Sequence, residues 1–198
     1  RQVRNASSTM QDYMLRSVSE LSEEEVTDDA RELYESRRSL KRLDEVLDSE
    51  AADWSKSQRI DHVRALLAPF SELHSLGVGH CDIDLHNLWY AGDQRSIVVT
   101  GFGAASLEGR ESLESLRSKL QSAPYVLPED AYEEAIEPYR LDVFMLAVVA
   151  YRICFAGESL LIANQVPEWK IPQQDPFGGI LNSWFEQALH LEPGKRFP

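Results

Sequence analysis

The chain has 198 residues, 43% hydrophobic and 27% charged, an ordinary globular composition and length enough to bury one core. Its formal charge of −13 argues against a nucleic-acid footprint, which needs lysines and arginines clustered on one face. No stretch approaches the roughly 18 to 20 uncharged apolar residues of a membrane span; the longest candidate, Val143 to Ala156, is interrupted by Arg152. The two cysteines, Cys81 and Cys154, lie in segments that read as buried, with no C-x-x-C pair and no signal-peptide pattern, so a reducing cytoplasm suits them. The chain begins at Arg1 rather than Met, as an excised piece of a longer polypeptide would.

Residues 1 to 22 are polar and serine-rich, and read as a tail or a loosely held helix. From Glu23 to Glu50 the chain is densely charged, with Leu33, Leu40, Leu43 and Leu47 in one stripe, which predicts a solvated amphipathic helix. Ser55-Lys56-Ser57-Gln58 resembles a capping box. After it, Ile60, Val63, Leu67, Phe70 and Leu73 recur at helical spacing until Gly77 supplies a stop. Asn87 to Tyr90 and Ser96 to Thr100 are short β-prone runs around the turn-rich Ala91 to Arg95, and predict a small hairpin. A polar helix is expected over Glu111 to Gln121. Leu141 to Phe155 is apolar nearly all round, the pattern of a fully buried helix, and Ile180, Leu181, Trp184, Phe185 and Ala188 mark a last amphipathic one. The fold class expected is mainly α, one domain over 23–198 with a polar segment before it.

Two motifs carry the chemistry: His80-Cys81-Asp82-Ile83-Asp84-Leu85-His86-Asn87, then Thr100-Gly101-Phe102-Gly103. From Leu43 to Pro198 the chain resembles the C-terminal lobe of a eukaryotic-type protein kinase. That family reads H-R-D-L-K-P-x-N and D-F-G, with a base Asp, a metal-binding Asn and a second metal-binding Asp. Further landmarks follow in order: Leu76-Gly77-Val78-Gly79-His80 before the first motif, Leu127-Pro128-Glu129 in place of A-P-E, Asp142 thirteen residues after Glu129, and the late Arg196. The resemblance implies that Asp142 holds the catalytic-loop backbone and that Glu129 pairs with Arg196. A narrower resemblance, carried by Leu127 to Asp130, Asp142 to Leu146, Val166 to Trp169 and Arg196-Phe197, is to kinase-like domains that bacteria attach to nuclease-related domains, some linked with phage resistance.

The departures from the pattern bear on function. Asp82 and Asn87 keep their five-residue spacing, but Asp84 stands where the family has Lys, Leu85 replaces Pro, and Gly101 replaces the metal-binding Asp. Asp82 reads as a candidate base or as a loop-organising acceptor; Asn87 reads as a metal ligand or as a turn residue. Asp84 either repels the transferred phosphoryl group or joins Asp82 in holding a metal. Trp89 aligns with the floor under adenine, and would fill the nucleotide cleft or cover a lobe surface. His80, Phe102 and Asp142 read as an internal spine, and Phe102-Gly103 as keeping the backbone turn. The histidines show no metal-ligand spacing with the cysteines, so no zinc site is expected. Ser106, Ser112, Ser115, Ser118 and Ser122 lie where an activation segment would be phosphorylated, yet the residue that would partner a phosphate there is Cys81 rather than Arg.

A family member also carries a glycine-rich loop and a nucleotide-pairing Lys in a preceding lobe, and residues 1 to 42 contain no glycine. The function expected is a degenerate, pseudokinase-like scaffold or regulatory module of a larger bacterial protein. It would bind a protein partner or neighbouring domains of the same polypeptide, with no cofactor, no nucleic acid and no membrane. The alternative is an atypical Ser/Thr kinase using ATP and Mg²⁺, its N-lobe supplied elsewhere. Small-molecule phosphotransfer on the same fold is weaker, because Leu127-Pro128-Glu129 and Arg196 are protein-kinase features.

Overall fold

The computed structural model describes residues 40–92, 96–107, 125–131, 137–156, 160–163 and 165–198, all within one compact unit, Leu40–Pro198. The polar segment 1–22, the chain over 23–39, the polar helix expected over 111–121 and Ser112, Ser115, Ser118 and Ser122 lie outside the described residues.

Only the end of the leucine stripe, from Leu40 on, is described, and it is not helical throughout. Leu40–Arg42 is a strand, β1, and helix α1 runs from Leu43 to Glu50, burying Leu43, Val46 and Leu47. A long helix, α2 (Lys56–Ser75), follows, and its start is the capping box read from sequence. Ser55 Oγ accepts from the Gln58 amide at 3.3 Å while Gln58 Oε1 accepts from the Ser55 amide at 2.8 Å. Its end is Gly77, whose φ of +76° is left-handed and cheap only for glycine. The buried face of α2 is rotated from the apolar series: Arg59, His62, Leu66 and Phe70 face inward, while Ile60, Val63, Leu67 and Leu73 are half-buried.

Two polar residues can lead that face because each finds partners. The Arg59 guanidinium donates to the carbonyls of Ala51 (2.6 Å), Trp54 (3.1 Å) and Ile153 (3.0 Å), closing orphan carbonyls at two helix ends. His62 packs between Trp54 and Tyr90, with ring centroids 3.9 and 5.2 Å away.

After β2 (Val78–Gly79) come β3 (Leu88–Ala91) and β4 (Ser96–Val99), the expected hairpin, with Leu88 opposite Val99 and Ala91 opposite Ser96. β1 completes an antiparallel sheet in the order β1-β3-β4 by pairing Leu40 with Ala91 and Arg42 with Trp89. β5 (Ser106–Leu107) returns antiparallel to β2. A short helix, α3 (Pro128–Ala131), precedes the central helix α4 (Pro138–Cys154). From Leu141 to Phe155 only Arg152 is exposed, so neighbours surround α4 as its apolar sequence requires. β6 (Leu161–Ala163) and β7 (Val166–Glu168) form a third small sheet, and α5 (Asn182–Ala188) closes the fold. Trp169 stacks on Phe185 of α5 at 5.2 Å, and Tyr151 of α4 and Phe155 just after it meet the same ring. Ile180 falls outside α5 and is 81% exposed.

The described residues are therefore mixed α and β, with small antiparallel sheets, rather than mainly α. The extra strand β1 has a simple cause: one edge of β3 needs partners for its backbone, and the three residues ahead of α1 supply them. No helix among the described residues is long and apolar enough to cross a membrane.

Candidate functional site

The loop between β2 and β3 is held from below by a single carboxylate. Asp142, in the first turns of α4 and fully buried, accepts from the His80 amide at 2.7 Å, the Cys81 amide at 2.8 Å and His74 Nε2 at 2.8 Å. Cys81 sits at φ +61°, a left-handed conformation that a side-chain-bearing residue keeps only when its surroundings impose it. The two amide bonds to Asp142 do so. Gly79, just before, packs so closely on α4 that a Cβ there would lie 2.6 Å from that of Pro138.

His80 joins this loop to the second motif. Its Nε2 donates to the Thr100 carbonyl at 2.9 Å, and its Nδ1 accepts from the Asp82 amide at 3.3 Å, which places the ring proton on Nε2. The Phe102 ring packs against it at 4.8 Å. His80 and Asp142 are interior, as the spine reading has it; Phe102 is not, being 46% exposed on its other side.

Asp82 is buried and receives Asn87, whose Nδ2 donates to the Asp82 carbonyl at 2.9 Å and to its Oδ2 at 3.3 Å. The Asn87 carbonyl in turn accepts from the Thr100 amide at 2.9 Å. Asn87 Oδ1, the atom that would ligate a metal, is directed at Gly101. A Cβ on Gly101 would stand 2.5 Å from it and 2.6 Å from Cγ, and Gly101 is itself left-handed at φ +83°. The asparagine amide thus occupies the space into which a side chain at 101 would project.

Asp84 turns to other partners. One oxygen, Oδ1, accepts from the His86 amide at 3.0 Å and from His86 Nδ1, capping the short turn Leu85–Asn87. His86 Nε2 lies 3.8 Å from Asp44 on α1. Tyr125 stands close by; burial, with the charges of Asp84 and Asp82 added, pushes its hydroxyl above the ordinary tyrosine range, so it stays protonated. Trp89 is half-buried opposite Arg42 and Val98, whereas its neighbours Leu88 and Tyr90 turn to the core. It covers the outer face of the β1-β3-β4 sheet.

Farther down, Glu129 and Arg196 meet as the sequence reading expects. Nη1 and Nη2 of Arg196 donate to the two Glu129 oxygens at 2.5 and 3.4 Å, with both side chains fully buried. The remaining guanidinium hydrogens go to the carbonyls of His190 (2.7 Å), Arg140 (3.0 Å) and Leu191 (3.2 Å), and the group lies over the Phe144 ring.

Mg²⁺ with a nucleotide is the cofactor that the kinase resemblance brings to mind, and the donor set in this arrangement does not fit it. Gly101 has no side chain to supply a carboxylate oxygen, Asn87 Oδ1 faces Gly101, and Asp84 is tied to His86 rather than grouped with Asn87. Among the described residues no three His, Cys, Asp or Glu side chains gather as a metal site. Comparison with protein-family models and with curated proteins finds no match. His86 and Tyr125 are site residues that sequence reading missed: a histidine two positions after an aspartate is a signal for an Asx-type turn, whereas Tyr125 reaches the loop only through the tertiary fold.

Placing an aspartate at 101 is expected to cost stability. A left-handed aspartate carries roughly 1–2 kcal/mol of backbone strain, and Asn87 must give up its bonds to Asp82 as it moves aside. Gly101→Asp should lower the urea midpoint clearly, and adding Asn87→Ala should recover part of the loss; an unchanged midpoint in the single variant would show that Asn87 yields freely.

Proposed function

We propose that this chain is the C-terminal lobe of a degenerate, protein-kinase-like domain that serves as a scaffold or regulatory interaction module. Its setting on this reading is the cytoplasm of a bacterium, within a larger multidomain protein, and its partners are proteins or neighbouring domains of the same polypeptide. The observation that carries the proposal is the exchange at Gly101 and Asn87. The bonds that hold the loop in shape are kept, from Asp142 to the His80 and Cys81 amides and from His80 to Thr100. The groups that would do phosphoryl transfer are altered: the Gly101 position supplies no metal ligand, Asn87 fills the space beside it, and Asp84 brings a negative charge where the family has a Lys. Phosphoryl transfer depends on positioning and on offsetting charge, and both are weakened here. The buried Glu129–Arg196 pair and the enclosed helix α4 support the same lineage.

The test is phosphotransfer. Incubated with radiolabelled ATP, Mg²⁺ or Mn²⁺, and a general acceptor such as casein, the chain is expected to leave label at background. Transfer that exceeds background and disappears in Asp82→Asn would replace the scaffold reading with that of an atypical Ser/Thr kinase in which Asp82 is the base.

A further inference from the structure

A cavity of about 750 Å³ opens where the end of α4 meets the turn before α2 and residues 173–176. Its apolar walls include Trp54, Phe155 and Pro176, and its charged lining is Lys56, Arg59 and Asp175. In a chain that carries −13, the balance here is reversed, two cations against one acid. Lys56 and Arg59 stand three apart on α2, so they share one helix face and repel each other.

Arg59 is only 9% exposed, and every bond it makes goes to a neutral carbonyl: Ala51, Trp54, Ile153 and, at 3.4 Å, Cys154. Those carbonyls satisfy its hydrogens and offset part of its charge. They supply no counter-ion, and a buried cation ordinarily has one. Among the described residues no carboxylate forms an ion pair with Arg59 or Lys56. The other polar groups of the wall are committed elsewhere. The two oxygens of Asp175 accept from the Phe177 amide at 2.7 Å and the Gly179 amide at 2.5 Å. Burial pushes the Cys154 thiol up to about 12, so it stays protonated and offers no negative charge. Burial likewise pulls the Arg59 guanidinium below its ordinary value, the direction expected of a cation without its anion.

We propose that this cavity binds a small organic anion, a carboxylate on an aromatic or branched apolar body, with the carboxylate held between Lys56 Nζ and the Arg59 guanidinium. An ammonium and a guanidinium on one carboxylate make charge-assisted hydrogen bonds, the strong kind. An inorganic ion would leave most of the volume wet, whereas an apolar body fills the space against Trp54, Phe155 and Pro176. The inference goes beyond the scaffold reading and stands independently of it.

The experiment titrates the isotope-labelled 198-residue chain with naphthoate and follows the Trp54 indole and Arg59 Nε–H signals by NMR. Saturable shifts of both are expected. Naphthylmethylamine, the same ring carrying a cation, and inorganic phosphate should leave them in place. Lys56→Glu, at an exposed position where folding is not at stake, should weaken naphthoate binding by about tenfold, the scale of one charge-assisted hydrogen bond. Arg64→Glu makes the same change in net charge on the exposed face of α2 and should leave binding unchanged. The proposal fails if neither signal moves, or if the two variants weaken binding alike and so report net charge alone. It fails equally if the amine binds as tightly as naphthoate, which would make this an apolar crevice, or if phosphate does, which would make it a simple ion site.

Discussion

Arg196→Met should destabilise the protein by about 3–5 kcal/mol, the usual cost of removing one partner from a buried ion pair. The variant leaves the Glu129 carboxylate fully buried beside an apolar side chain, and it strips donors from the carbonyls of His190, Arg140 and Leu191. The penalty comes from what is left behind more than from the attraction that is lost. A second variant, Glu129→Leu with Arg196→Met, should therefore be more stable than Arg196→Met alone. Urea denaturation of both variants checks this. If the single variant unfolds at the wild-type midpoint, the pair does not hold α3 to the C-terminal segment.

Asp142→Ala is expected to cost at least about 3 kcal/mol, because it orphans two buried backbone donors at once and each such loss is worth roughly 1–3 kcal/mol. The His80 and Cys81 amides have Asp142 as their acceptor, and His74 loses its partner too. The conformational consequence matters as much. Cys81 at φ +61° holds roughly 1–3 kcal/mol of backbone strain that the two amide bonds offset. Without them the loop carrying Asp82 should relax, and amide exchange should accelerate at His80 to Asp82 before it does in α2. Uniform acceleration across the domain would show instead that Asp142 contributes only to global stability.

Much of this architecture is readable in the sequence where local chemistry decides it. Ser55 and Gln58 announce a capping box because its two bonds join residues three apart, and Leu141 to Phe155 announces a surrounded helix because it has almost no polar face. The ordered landmarks anticipate two long-range contacts, Asp142 to the loop and Glu129 to Arg196, through resemblance rather than through any local rule. What is not readable depends on partners distant in sequence. Leu40 to Arg42 have the leucine spacing of a helix, yet the open edge of β3 draws them into a strand. Arg59 looks like a solvated charge until Ala51, Trp54 and Ile153 bring it carbonyls to cap. At the site, the glycine at 101, where the resembled motif has an aspartate, is plain in the sequence. That Asn87 then occupies the space beside it, and that Asp84 pairs with His86, emerge only in three dimensions.

The scaffold reading is tested most directly by calorimetric titration of the chain with ATP in the presence of Mg²⁺. No saturable heat is expected up to about 1 mM nucleotide, a weak-binding limit near −4 kcal/mol, because Gly101 has no carboxylate and Asn87 Oδ1 is turned to Gly101. Saturable binding in the micromolar range that vanishes on chelating Mg²⁺ would contradict it.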